Sequence, residues 1–322
     1  MQLSPSPLDQ AILCALLYGD VFSFPMTVKE IHYFLIGMAA KEDDVRNALE
    51  SPSDWLEQYV VAGKVADFTC YAVAERAEDV FGQRGKREAA SAILWDKGRQ
   101  YGVILGHLPF VRMVAMTGAL AVRNAGSVQD DLDYLVVAQD GRVWLARLFA
   151  VMLVRLCRLW GVVICPNFVL AESALLQKRR DLFIAHEVTQ MVPFVGHEVY
   201  QQMRLENEWV SPFLPNAKGA MYDEPDGQPR RLGKWMQRLG ELMLGGFVGN
   251  WLERWEMRRK IRKFERHGST GGEVKLDEQQ VKGHFIDYGN LTLQRFQERL
   301  EQYALKLPPV ELTHNQHSSA AD

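Results

Sequence analysis

The chain has 322 residues, of which 48% are apolar and 24% charged, and its formal net charge is −3. That composition describes a globular protein with room for two or three folded units, and it excludes a disordered or collagen-like chain and any bulk attraction to nucleic acid. Four dispersed cysteines, Cys14, Cys70, Cys157 and Cys165, form no C-x-x-C pair, which argues against a zinc knuckle or a redox dithiol and for reduced, buried thiols.

Leu8 to Val21 carries apolar residues at helical spacing, and Thr27 with Glu30 makes a capping box that opens a helix over Val28 to Ile36. A third helix is expected over Lys41 to Leu49, a continuation over Trp55 to Val61, and a hairpin over Ala62 to Val73 turning at Gly63 and Lys64. Helices followed by a hairpin resemble a winged helix-turn-helix. On the third helix Glu42, Asp43, Asp44 and Glu50 outweigh Lys41 and Arg46, which favours protein docking over DNA reading. Arg84 to Leu105 is expected as a helix with a basic, solvated face, closed off by Pro109.

Val111 to Met116 is a short run rich in apolar and β-branched residues, as expected of a buried strand. Thr117, Gly118 and Ala119 interrupt it. Gly118 permits a sharp turn and close approach of a ligand, and Ala119 to Asn124 can continue as a helical turn whose N–H groups suit an anion. After the Gly126–Ser127 loop, Asp131, Leu132 and Asp133 lead into a second strand, Tyr134 to Val137. Alternation puts Asp131 and Asp133 on one face, where two carboxylates repel unless a cation lies between them. Oxygen ligands at that spacing suit Mg²⁺, with phosphate and water completing its shell.

Val143 to Ile164 is apolar but is interrupted by Arg147, Arg155 and Arg158, so it reads as a buried helix, Arg142 to Trp160, with its arginines snorkelling outward, and not as a membrane span. No secretory signal is apparent at the start, so a cytoplasmic protein with no membrane partner is expected. Gly161 to Ala171 reads as a further strand with Val163, Cys165, Asn167 and Val169 on one face and Glu172 just beyond it. Arg180 to Met191 is an expected helix containing His186 and Glu187; H-E-x-x-H is absent, which removes a zinc protease. Asn216 to Arg231 reads as a linker. Leu232 to Phe264 reads as one long helix with a Gly245/Gly249 small-residue pair and a basic tail, and Asp277 to Leu305 as a final helix that includes His284. Gly268 to Gly272 is expected to break the chain and the residues after Pro309 to fray.

The strand, the Gly118–Ala119 turn, the short helix and the Asp131-x-Asp133 strand together resemble the nucleotidyltransferase superfamily with the DNA polymerase β-like fold. Segments such as GALAVRNAG, DDLDYLVVA, CPNFVL and AHEVTQMVPFVG are similar to a poorly characterised bacterial nucleotidyltransferase-like group with an N-terminal winged-helix-like region. Ala119 departs from the Ser or Gly usual in the family, and on the strand where many members carry a third carboxylate the polar residue is Asn167, with Glu172 just past the strand as the acid that could reach inward. The resemblance implies an α+β fold, with a winged-helix-like domain over residues 1–80, a mixed-sheet nucleotidyltransferase core over 81–220, and a linker with a helical region over 221–322. It further implies Mg²⁺ or Mn²⁺ on the catalytic pair Asp131 and Asp133, nucleotide contacts at Thr117, Gly118, Ala119 and Asn167, and transfer of a nucleoside monophosphate from an NTP to an unknown acceptor. Glu187, Asn207 and Trp209 match the group without a derivable role. The alternative is a catalytically impaired scaffold on the same fold, acting through protein binding and less readily through DNA.

Overall fold

The computed structural model describes residues 5–159, 161–222, 224–227, 231–266, 274–283 and 288–307. It is α+β, built on a mixed sheet. The chain begins with α1 (Pro7–Asp20), α2 (Val28–Tyr33), α3 (Glu42–Glu50) and the single turn α4 (Asp54–Glu57), followed by the hairpin β1 (Val60–Val65) and β2 (Phe68–Val73). Ser6 with Asp9 and Thr27 with Glu30 form capping boxes at α1 and α2, satisfying N–H groups that a helix start leaves unpaired. α1 is apolar nearly all round, and Ile12, Leu13 and Leu17 are fully buried.

The hairpin turns at Ala66 and Asp67, with Ala66 at φ +50°, and not at Gly63 and Lys64. Gly63 lies within β1 opposite Cys70, where any Cβ would fall 2.5 Å from the Phe81 ring, so close packing and not a turn requires glycine there. Val60 and Val61, expected at the end of a helix, already belong to β1.

The helix α5 (Ala77–Gly106) then runs to the sheet. It packs closely because Gly98, Gly102 and Gly106 face Met116, Phe194 and Val195, each leaving no room for a Cβ. Its expected basic face is partly internal: Arg84 is 2% exposed and bonds Glu30 of α2 at 2.8 Å. The sheet comprises β3 (Val111–Met116), β4 (Leu132–Ala138), β5 (Ile164–Ala171), β6 (Val192–Val195), β7 (Val274–Leu276) and β8 (Gln280–Gly283), in the order β6-β3-β4-β5-β8-β7. β4 and β5 run parallel, joined by α7 (Val143–Arg158); the other pairs are antiparallel. A one-turn helix, α6 (Gly118–Ala121), lies between β3 and β4.

One sheet face, carrying Met113, Ala115, Leu135 and Val137, shares a continuous core with α1, α2, α8 (Leu182–Gln190), α9 (His197–Glu206) and α12 (Tyr288–Gln302). The other face packs α5 and α7, with the partly buried Leu252 and Ile261 of α11 (Phe247–Arg266) against it. Arg155 and Arg158 of α7 are exposed as expected, whereas Arg147 is covered and burial lowers its pKa. Among the described residues no helix is long and apolar enough to cross a membrane.

The C-terminal half departs from the sequence reading in three places. Within the expected linker the described residues 224–227 strap onto the body: Glu224 accepts from the Trp95 indole at 2.6 Å and pairs with Arg99, and the Gly227 N–H bonds the Phe194 carbonyl. The expected long helix is two, α10 (Arg231–Leu244) and α11, bent at Gly245 and Gly246; a Cβ on Gly249 would fall 1.6 Å from the Leu244 carbonyl oxygen, so that glycine serves the bend and not a helix seam. The expected helix from Asp277 is first a hairpin, β7–β8, because Asp277 accepts from the N–H groups of Gln279 and Gln280 and forms the turn, while Val281 buries against the sheet. His284, Gly268 to Gly272 and the segment after Pro309 lie outside the described residues.

Candidate functional site

At the end of β3 the Thr117 N–H donates to the Asp133 carbonyl at 3.0 Å, which carries the chain out of the sheet beside β4. Gly118 follows at φ +66°. A Cβ there would stand 2.7 Å from Oδ2 of Asp133, so both backbone conformation and space require glycine. α6 turns once and is closed by the Asn124 N–H on the Ala119 carbonyl.

Asp133 pairs with Cys165 across the parallel β4–β5 ladder. The register slips just beyond: Tyr134 pairs with Pro166 but Leu135 pairs with Phe168, leaving Asn167 without a partner in the ladder. Pro166 has no N–H to lose, which suits a bulge. The bulge turns Asn167 so that its Nδ2 donates to Oδ1 of Asp133 at 2.5 Å.

Burial pushes the Asp133 carboxyl up to about 6, the charges of Asp131 and Asp130 add to this, and the Asn167 hydrogen bond opposes it. Asp130 itself is tied into its loop by the Gly126 N–H and the Ser127 hydroxyl. The Cys165 thiol is also raised, by burial first and then by Asp133 and Asp131.

Thr117, Gly118, Ala119, Asp133 and Asn167 all line one cavity of about 560 Å³. Asp131 does not. It stands exposed, one residue before β4 begins, where its charge reaches Asp133. Glu172 turns away from the cavity toward Arg112, 4.0 Å off, and supplies no third carboxylate. The carboxylates on the cavity wall, among the described residues, are Asp133 and Glu187, the latter held by Gln190 at 2.7 Å. No group of three or more His, Cys, Asp or Glu could hold a metal among the described residues.

The rest of the wall was not legible in the sequence. Tyr18 of α1, Phe34 beside α2 and His186 of α8 meet there, with His186 stacked on Tyr18 at 3.9 Å between ring centroids. The His186 Nδ1–H donates to the Leu182 carbonyl, and burial lowers its pKa to about 4, so the ring is neutral. Only the fold brings α1 to α8; the lone sequence signal was the apolar surround of each residue. Asn207 has a structural role: it accepts from the Gln177 N–H and the Trp209 indole and donates to the Leu175 and Met203 carbonyls.

No family model, no curated protein and no solved structure matches the chain.

Proposed function

We propose that the chain is a metal-dependent nucleotidyltransferase that moves a nucleoside monophosphate from an NTP to an acceptor still to be identified, on a nucleotidyltransferase-type core with a winged-helix-like N-terminal region. The seating of Asp133 beneath the Gly118 bend, on the wall of a cavity shared with Asn167, carries this reading.

Asp133 on the cavity wall and the exposed Asp131 two residues before it are too few for an all-protein cage; Mg²⁺ or Mn²⁺ would arrive on a triphosphate whose oxygens and waters complete the shell, with Asp133 as the cavity-side ligand and Asp131 meeting the ion from outside the cavity. When bound, the ion neutralises phosphate charge and orients an in-line displacement. Asp133 is suited to it: the burial and neighbouring acids that raise its pKa also favour a cation beside it. Asn167 holds Oδ1 and leaves Oδ2 facing the bend, where backbone N–H groups of Gly118 and Ala119 would meet the phosphates. Ala119 removes the hydroxyl that a serine would add there and leaves those backbone donors in place. Glu187, on the same cavity wall, would take the proton of the acceptor hydroxyl as its oxygen bonds the α-phosphorus and the bond to the leaving pyrophosphate breaks.

Calorimetric titration with Mg-NTP tests the binding half. Wild type should bind, and Asp131→Asn with Asp133→Asn should abolish binding while leaving the circular dichroism spectrum unchanged; affinity indifferent to the pair would overturn the assignment. Radiolabelled NTPs incubated with cell extract and Mg²⁺ or Mn²⁺ then reveal the acceptor. The second reading, a catalytically silent scaffold, is favoured by the neutral Asn167, which bonds Asp133 from the strand where the resembled family usually carries a third carboxylate, and it predicts no labelled product with any NTP.

A further inference from the structure

Helices α10 and α11 carry an amphipathic pattern that faces outward. On α10 the polar and glycine side is the one docked on the body. Nε2 of Gln237 lies within 3.3 Å of the Gly106, Leu108 and Val111 carbonyls, and Glu241 accepts from the Phe110 N–H and from Arg112. Gly233 and Gly240 lie on His107 and Pro109. The opposite ridge, Leu232, Trp235, Met236, Leu239, Leu242 and Met243, points to solvent, with Leu242 81% and Met243 69% exposed. Past the Gly245–Gly246 bend it continues in Phe247, also 81% exposed, then Val248, Trp251 and Trp255. A soluble helix normally turns such a stripe toward its own core.

Charge on the two helices is segregated as well. Arg231, Lys234, Arg238, Arg254, Arg258 and Arg262 are all exposed. None of the acids whose side chains are described is: Glu241 meets Arg112, Glu253 accepts from the Trp144 and Leu145 N–H groups at the start of α7, and Glu256 pairs with Arg259. A chain of net charge −3 thus presents a locally cationic surface around an apolar, tryptophan-bearing ridge.

We propose that this surface docks on an anionic lipid bilayer, with α10 and α11 lying in the interface plane. Apolar side chains would enter the acyl boundary, tryptophans sit at headgroup level, and the cations meet lipid phosphates. Neither helix spans the bilayer. In a two-fold pair of copies the same cations would face one another, which disfavours a second copy as the cover. Leu242 and Met243 would gain little from nucleic-acid bases, which bind by stacking on aromatic rings. The inference is independent of the nucleotidyltransferase reading.

The full chain, sedimented with sucrose-loaded vesicles, tests it. Phosphatidylcholine vesicles containing phosphatidylglycerol should pellet the protein at least about tenfold more strongly than phosphatidylcholine alone, with a blue shift of tryptophan fluorescence. Leu242→Asp with Phe247→Asp, both on the exposed ridge, should reduce partitioning at least about tenfold with melting temperature unchanged. Wild type remaining in the supernatant with both vesicle types would overturn the proposal, as would partitioning unaffected by the double variant. A dimer split by that variant, or a single-stranded oligonucleotide released by it, in the absence of vesicle binding, would assign the ridge to a second copy or to nucleic acid instead.

Discussion

Asn167 reaches Asp133 only because the β4–β5 register slips by one residue between them; the resulting 2.5 Å hydrogen bond fixes one carboxylate oxygen and leaves the other under the Gly118 bend. Asn167→Ala removes the donor that holds the Asp133 pKa down. The Asp133 pKa should then rise further above about 6, read by carboxyl NMR titration. Stability at pH 8 should fall by about 1–2 kcal/mol in urea unfolding, with a smaller loss at pH 5 where the carboxyl is largely protonated. An unchanged pKa would mean the bond has no electrostatic role.

Asp133 has a folded pKa of about 6, above the ordinary carboxylate range, so the native state binds the extra proton. Its contribution is fully present below about 4 and is lost as pH rises through about 6. Asp133→Asn should therefore raise the melting temperature in EDTA at pH 8, and the gain should shrink toward zero at pH 4. Mg-NTP should stabilise wild type and not the variant. A variant less stable than wild type at pH 8 would contradict the burial that raises this pKa.

Gly118→Ala places a Cβ at φ +66° and 2.7 Å from Asp133 Oδ2. About 1–2 kcal/mol of backbone strain is expected, with a further loss as the carboxylate is displaced. Chemical unfolding measures the first. Nucleotide titration should show affinity lost by more than the stability change accounts for.

His186 titrates in the opposite sense to Asp133. Its folded pKa, about 4, is below the ordinary imidazole value of about 6.5, so its stability contribution is present above about 6.5 and lost as pH falls toward 4. His186→Phe keeps the stack on Tyr18 and removes the titration. The variant should lose less stability than wild type between pH 7 and pH 4 in thermal melts; an equal loss would place the acid sensitivity elsewhere.

Arg84 and Glu30 are 2% and 3% exposed, and the Arg84 guanidinium also lies 4.2 Å from the Phe24 ring centroid. Arg84→Met strands a buried carboxylate and should cost about 3–5 kcal/mol. Glu30→Gln should cost less, since an amide oxygen can still accept from the Thr27 N–H. Urea unfolding of both variants checks the order.

Short-range structure is legible along the chain. β3, the Gly118 turn and the strands β4 and β5 follow from runs of apolar residues broken by glycine and acids, and the Thr27–Glu30 capping box follows from groups three residues apart. Such features depend on neighbours along the chain, so local chemistry reveals them. Asp133 is legible as one of an Asp-x-Asp pair that leads into an apolar strand, and Asn167 as the polar residue on one face of the strand after it.

The remainder depends on contacts between distant parts of the chain. The bulge that joins Asn167 to Asp133 depends on how β5 registers against β4, and the Tyr18–His186 wall on packing elements far apart in sequence. Asp277 to Gln280 are polar residues compatible with a helix, yet they form a hairpin because β5 offers an unpaired edge and Val281 buries against it. The outward ridge of α10 is the plainest case: periodicity marks an amphipathic helix, but which face meets the body was settled by carbonyls that Gln237 satisfies and by glycines that fit against His107 and Pro109. Hydrophobic pattern fixes that a face exists; the partners available in space fix where it points.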